Sequence, residues 1–240
     1  MACLDIVIPV YNEGANILRT LEVLNRDVRT SSRVLICYDI GEDDTLPAIR
    51  ANLDRFPELP IEFVRNTGQG PLQAVKTGFA ASSGPFILTY PADDDYNAGI
   101  LDCMVSKAKS GCDVVCASRF MPGGSMVGCP WLKALLVRGA SFTLYHVAGV
   151  PTRDASNGLR LFSRRVIETI KIESDQGFCY SIELLVKAHR LGWRVGEIPA
   201  QWMRRKHGNS RFRLGKWLPA YLRWYFYAFA TTWLRRAATR

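Results

Sequence analysis

The sequence predicts an α/β fold built on a largely parallel, buried sheet, and three observations point to it. Short apolar, β-branched runs alternate with helical patterns along the first half of the chain. The runs are too apolar to leave one face in water, as strands covered by helices on both faces are. Each run ends in a polar or glycine-rich segment, the place where open parallel sheets collect their ligands.

The elements follow in order. "LDIVIPV" (4–10) is the first strand, and Gly14 to Asn25 reads as a helix. "RVLICYD" (33–39) is the second strand, followed by a helix over Glu42 to Leu53. "IEFV" (61–64) precedes a helix from Gly70 to Ala81, "PFILTY" (85–90) one from Ala98 to Lys109, and "CDVVCASRF" (112–120) closes the series. After Gly124 the rhythm changes to a mixed loop, an apolar helix near Trp131 to Val147, a strand "GLRLFS", a helix from Ser181 to Leu191 and a strand "RVGEIPAQW". No repeat or linker separates the halves, so residues 1–213 are expected to form one domain, with 1–124 and 125–213 as its two sides.

Bulk properties agree. A chain of 240 residues with 48% apolar and 22% charged composition suits one sizeable α/β domain. "MACLDIVIPVYNEG" lacks a basic leader and cleavage site, so it reads as a strand and the expected location is cytoplasmic. The seven cysteines have no CxxC spacing and lie mostly in apolar segments, which predicts reduced packing residues.

Charge is uneven. Residues 200–240 hold ten Lys or Arg and no Asp or Glu, so this stretch is +10 within a total of +9 and the remainder is close to −1. Such a tail suits nucleic acid, an anionic membrane surface or a phosphorylated substrate. Within it, "WLPAYLRWYFYAFATTWLRR" is dense in aromatics but is interrupted by Pro219 and Arg223 and is barely of spanning length. Residues 214–240 are therefore read as a basic, aromatic helix lying at a membrane interface, with a helix packed on its own protein as the alternative.

Five strand-end loops, "PVYNEG", "YDIGEDDT", "RNTGQG", "PADDDYN" and "SRFMPGG", should build one site. In the fourth, Asp93 and Asp95 are separated by one residue and offer the hard oxygen donors that suit Mg²⁺ or Mn²⁺. Such an ion could bridge a diphosphate. The competing reading has Asp95 or Asn97 capping the next helix and the other carboxylates solvated. Likewise, Tyr11 could fill a core edge and Glu13 stand at a helix N-terminus, although "VYNE" directly after a buried strand favours a ligand site. The three histidines have no metal spacing and no nucleophile beside them.

Six ordered motifs carry a resemblance: "IVIPVYNEGANI", "YDIGEDDT", "NTGQG" before "KTGF", "PADDD", "VVCASRFMPGG" and "DASNGLRLFSR". Over about residues 4–213 they resemble family 2 glycosyltransferases of the GT-A fold. "GFCYSIELL" and "RRKHGNSRF" are most similar to the dolichyl- or polyprenyl-phosphate mannose synthase branch. The resemblance implies a nucleotide-sugar donor, GDP- or UDP-linked, framed by Pro9, Tyr11 and Glu13, with Asp39 at the base or ribose. It implies Asp93 as the metal-binding Asp, joined by Asp95 where the family often has Gln. Pro91 and Tyr38 stand where two family Asp residues are usual, which shifts the ligand set toward Asp93 and Asp95 with Asp94 as a third candidate.

On the acceptor side the resemblance implies that Arg119, Arg138 and Arg205, with Ser210 and Arg211, gather around a lipid phosphate. A phosphate is already an oxyanion at neutral pH and needs cations to dock it rather than a strong base, and Arg suits bidentate contact. The expected protein is thus a glycosyltransferase moving a sugar to a polyprenyl phosphate with inversion, assisted by Mg²⁺ or Mn²⁺, peripheral on the cytoplasmic face of an anionic membrane and not binding nucleic acid. The rivals are a GT-A enzyme with a hydroxyl acceptor and Asp94 or Asp95 as base, and a non-catalytic membrane-associated nucleotide-sugar binder.

Overall fold

The computed structural model describes residues 2–203 and 214–238. The first half runs β1 (Leu4–Val10), α1 (Gly14–Asp27), β2 (Ser32–Tyr38), α2 (Thr45–Arg50), β3 (Ile61–Arg65), α3 (Pro71–Ala81), β4 (Phe86–Thr89), α4 (Leu101–Lys109) and β5 (Val114–Ser118). The second half adds β6 (Ser125–Val127), α5 (Trp131–His146), β7 (Arg160–Ser163), α6 (Arg164–Thr169), α7 (Cys179–Arg190), β8 (Val195–Pro199), β9 (Gln201–Met203) and α8 (Leu214–Ala238). The strand expected over 194–202 is two strands, because β9 leaves the main sheet after Pro199 to pair in parallel with β6.

Seven strands form the main sheet in the order β3-β2-β1-β4-β7-β5-β8. All pairings are parallel except those of β7, which runs antiparallel between β4 and β5. From β1 the chain winds one way through β2 to β3, then returns to place β4 on the other side of β1. That reversal leaves a crevice above the carboxyl ends of β1 and β4, where the loops after Val10 and Thr89 diverge.

Both faces of the sheet are covered. Along β1, Leu4, Ile6, Ile8 and Val10 enter a cluster with Ile17, Leu21 and Leu24 of α1, while Val7 enters the opposite cluster with Val75 and Phe79 of α3. Successive strand residues point to opposite faces, so a strand covered twice must be apolar throughout. Where α3 crosses β1 and β2 the approach is close: a Cβ on Gly78 would stand 2.4 Å from a Val7 methyl and 2.8 Å from the Cys37 sulfur. Gly78→Ala should therefore destabilise the fold by about 1–3 kcal/mol through overpacking. The check is a urea titration whose midpoint falls while its slope is unchanged.

The final helix has two different faces. Trp224 and Ala228 belong to the second core cluster, and the Trp224 indole donates to Ser174 Oγ at 2.8 Å. Arg223 pairs with Glu173 at 2.7 Å, and Tyr225 shares a 2.7 Å hydroxyl contact with Thr143 of α5. The alternative of a helix packed on its own protein thus describes this face. Leu218, Leu222 and Phe226 point outward from the same helix. Among the described residues no helix is long and apolar enough to cross a membrane. The cysteines are all free, and burial pushes the Cys37 and Cys179 thiols up to about 12, as inert packing residues require.

Candidate active site

The crevice at the strand-order reversal is an open cleft of about 380 Å³. Pro9 and Glu13 come to it from the end of β1, Thr89 through Asp93 from the end of β4, and Ser156 and Gly158 from the loop before β7. Phe178 and Tyr180 at the start of α7, with Trp217 and Tyr221 of α8, complete it as an aromatic wall.

Each loop is held by its neighbour. After β1 the chain turns through Asn12, whose φ of 52° lies in the left-handed region that Asn tolerates. Both Asp43 oxygens accept the Asn12 amide at 3.1 Å, Thr45 Oγ1 accepts the Glu13 amide at 2.9 Å, and Asp44 accepts the Gly14 amide at 2.9 Å. The loop after β2 is therefore the mould for the Tyr11–Glu13 turn. Tyr11 stands exposed and is not among the residues that line the cleft, while the Glu13 carboxylate accepts from Asn16 at 2.8 Å. Asp39 works outward from β2: it accepts Asn66 Nδ2 at 2.7 Å and the Gly70 amide at 2.8 Å, fixing the "NTGQG" loop at the start of α3.

The three consecutive carboxylates have three different environments. Asp93 lines the cleft. Asp94 turns inward, accepting the amides of Tyr96 and Asn97 at 3.0 Å and Asn97 Nδ2 at 2.6 Å, and its carboxyl is raised above the usual range chiefly by burial. It holds the turn, and Asn97 passes the tie on to Gln201 through two 2.9 Å bonds. Asp95 bonds the Tyr96 hydroxyl, whose pKa is raised by burial first and by Asp95 next. The capping expected of Asp95 or Asn97 is not made by a side chain: Asn97 precedes the short turn Ala98–Ile100 without a capping hydrogen bond, and Asp94 braces the turn before it.

Among the described residues no group of three or more His, Cys, Asp or Glu could hold a metal alone. The cleft carboxylate of Asp93 fits a divalent ion that arrives with a diphosphate, since Mg²⁺ takes one or two carboxylates and fills its remaining positions with phosphate oxygens and water.

The arginines divide as well. Arg119 sits at the end of β5, its guanidinium donating to both oxygens of Asp154 at 2.6 and 2.9 Å and to Ser156 Oγ at 2.6 Å. Burial would raise the Asp154 carboxyl, but the Arg119 charge and hydrogen bonds outweigh it and hold it below the usual range. Arg138 of α5 lies exposed, its guanidinium carbon 5.4 Å from the Phe120 ring centre, and that of Arg119 approaches the same ring at 5.1 Å. Phe120 thus brings the two sequence-separated cations together, within one residue of the cleft through Ser156. Arg205, Ser210 and Arg211 lie outside the described residues.

One cation escaped the sequence reading. Arg160 of β7 is fully buried behind the cleft wall, donating to the Asp154 and Ala155 carbonyls at 3.4 and 3.2 Å and to Ser181. Its Nε finds no acceptor. A positive charge held in low dielectric against neutral oxygens biases the adjoining cleft toward anions. Within "DASNGLRLFSR" nothing local marks it, because burial of that residue is decided by α7 lying over β7.

The family model "Glycosyl transferase family 2" matches residues 5–171. Polyprenol monophosphomannose synthase of Mycolicibacterium smegmatis is 26% identical over 213 residues, 86% of this chain and 79% of that protein. Dolichol-phosphate mannosyltransferase of Pyrococcus furiosus is 24% identical over 91% of this chain, which spans only 61% of that relative. Solved structures of Mycobacterium tuberculosis glucosyl-3-phosphoglycerate synthase share the fold. The UDP complex gives a TM-score of 0.69 at 16% identity, over 95% of this chain and 80% of that one. The complex with Mn²⁺, UDP-glucose and phosphoglyceric acid gives 0.70 at 18% identity with the same coverage. The parallel sheet, its crevice and the matched span agree: this chain is a GT-A-fold glycosyltransferase and belongs to glycosyl transferase family 2.

Proposed function

We propose that the protein transfers a sugar from a nucleoside diphosphate sugar to a polyprenyl phosphate at a membrane surface. One observation carries the choice of acceptor: Arg138 lies on a helix whose outward side is apolar. Trp131 is 76% exposed, and Leu132, Leu135, Leu136 and Phe142 are more than half exposed on the same helix. Their spacing puts them on one stripe of α5, and a stripe of large apolar residues beside a cation suits an interface where lipid tails and phosphates meet. Leu218, Leu222 and Phe226 of α8 add outward apolar groups from a helix that contacts α5.

In this reading Pro9, Tyr11, Glu13 and Asp39 frame the nucleotide, and Asp93 stands where the diphosphate enters. A divalent ion bound there with the diphosphate would offset the charge left on the departing group. A phosphate oxygen of the acceptor attacks the anomeric carbon from the face opposite the diphosphate, the carbon–oxygen bond to the diphosphate breaks, and the configuration inverts. No general base is required, because the nucleophile is already deprotonated. That agrees with Asp94 being spent on the turn, whereas a hydroxyl acceptor would need a carboxylate free to take a proton. Arg138 docks the incoming phosphate, and Arg119, anchored by Asp154, adds positive potential beside it.

The relatives named for polyprenol and dolichol phosphate acceptors support this reading. The test offers the enzyme GDP-mannose or UDP-glucose with Mn²⁺ and either polyprenyl phosphate in vesicles or phosphoglyceric acid. Product on the lipid, together with vesicle flotation that salt weakens, is expected. Transfer to phosphoglyceric acid alone would establish the hydroxyl acceptor instead, and binding of donor without transfer to either would establish the non-catalytic binder.

A further inference from the structure

We infer that α8 builds the donor site, with Trp217 as the surface on which the transferred sugar rests. The inference builds on the nucleotide-sugar reading of the cleft and assigns the part of it that no loop motif explains. Besides the acidic Glu13 and Asp93, the cleft is lined by the aromatic Phe178, Tyr180, Trp217 and Tyr221. A group joined to a diphosphate at Asp93 and lying in this cleft must meet that wall. Hexose rings present apolar C–H faces and polar edges, and pockets for such ligands pair aromatic faces with a few placed hydroxyls. The wall supplies both, since Tyr180 and Tyr221 bring phenols beside the rings of Phe178 and Trp217.

The placement of Trp217 is built into the fold. Gly177 has a φ of +57°, and a Cβ there would lie 2.6 Å from the indole, so only glycine admits the ring. Phe178 meets the same indole edge to face, with ring centres 6.0 Å apart. One turn further along α8, Tyr221 is pushed well above the ordinary tyrosine range, first by burial, so its hydroxyl remains a neutral hydrogen-bonding group. The helix is then fastened by Trp224 to Ser174 and by Arg223 to Glu173. Lys187 of α7 also reaches Glu173 at 2.8 Å. The wall therefore stands or falls with the docking of α8, and a segment that reads as a membrane tail becomes part of the donor pocket.

The experiment compares donor with its sugarless half. GDP, GDP-mannose, UDP and UDP-glucose are titrated with Mn²⁺ against wild type, Trp217→Ala and Trp217→Phe by calorimetry, with circular dichroism and thermal melts as the fold check. For the pair that wild type binds, Trp217→Ala is expected to weaken the nucleotide-sugar roughly tenfold while leaving the nucleoside diphosphate unchanged, and Trp217→Phe to recover most of the loss. Equal loss of both ligands, or of neither, overturns the sugar platform, as does normal donor binding with loss of lipid acceptor use alone. Should Trp217→Ala melt before binding can be measured, Tyr221→Phe decides: it keeps the ring and must weaken only the sugar-bearing ligand. If wild type binds neither nucleoside diphosphate, the nucleotide-sugar reading of the whole cleft fails first, a result distinct from all of these.

Discussion

Asp93→Ala is expected to lower sugar transfer by ~10²–10³-fold, the scale on which one preorganised electrostatic contact at a reacting centre is lost, while leaving the fold intact. The reason lies in how the acidic loop divides its charges. Asp94 holds the turn with three hydrogen bonds and Asp95 meets the Tyr96 hydroxyl, so Asp93 is the carboxylate of the triplet that lines the cleft. Removing it takes the protein's carboxylate from a divalent ion that the diphosphate would otherwise share. Asp94→Ala should behave in the opposite way, lowering the melting temperature because Tyr96 and Asn97 lose their acceptor. Steady-state kinetics over a Mn²⁺ series, beside thermal melts of both variants, separates the two. An Asp93→Ala enzyme with wild-type turnover and metal response would remove Asp93 from the site.

Arg119→Ala is expected to destabilise the protein by about 3–5 kcal/mol, the usual cost of stranding one partner of a buried ion pair. Asp154 is fully buried and the Arg119 side chain is only 10% exposed, so solvent cannot replace the lost partner. The pH dependence identifies the cause. In wild type the Asp154 carboxyl titrates below the ordinary range, so the pair's contribution is present above the unfolded value near 3.8 and is lost only as pH falls through the lower folded value. In the variant, burial without the arginine raises the folded value instead, and stability is lost as pH rises. The gap in melting temperature between wild type and Arg119→Ala should therefore narrow toward about pH 4 and widen toward neutrality. A gap independent of pH would mean that packing, not the stranded carboxylate, accounts for the loss. Arg138→Ala provides the contrast: it is exposed, should leave the melt unchanged, and should weaken use of the lipid phosphate while sparing donor binding.

Much of this architecture was legible because its cause is local. The apolar runs from Leu4 to Ser118 mark β1 to β5, and helices α1, α3, α4, α5 and α7 lie within a few residues of their expected spans. Helix α2 is shorter than expected, Thr45–Arg50: at its start Asp43 and Asp44 hold the loop after β1, and past its end Leu53–Arg55 forms a separate 3-10 turn. The motif order already placed Asp93 and Glu13 at the ends of strands on one edge of the sheet, since in a parallel series every such loop emerges on the same side.

What the chain could not reveal by its own pattern depends on partners far along it. "GLRLFS" reads as a strand in either direction, and only its insertion between β4 and β5 makes it antiparallel and buries Arg160. "DDD" offers Asp93 and Asp95 as a ligand pair, and only the fold shows that Asp93 lines the cleft and Asp95 does not, while Asn97 and the Tyr96 amide claim Asp94. Nothing beside Arg119 in the sequence marks its partner, because Asp154, which closes around it, lies 35 residues on. The aromatic tail shows the same limit, for its composition predicts an apolar helix but not which face is taken by α7, which by the cleft and which is left outward. Periodicity reports how much apolar surface an element must bury, because that is a property of the element itself. The surface that buries it is chosen by long-range packing, and that choice made a tail helix one wall of the cleft.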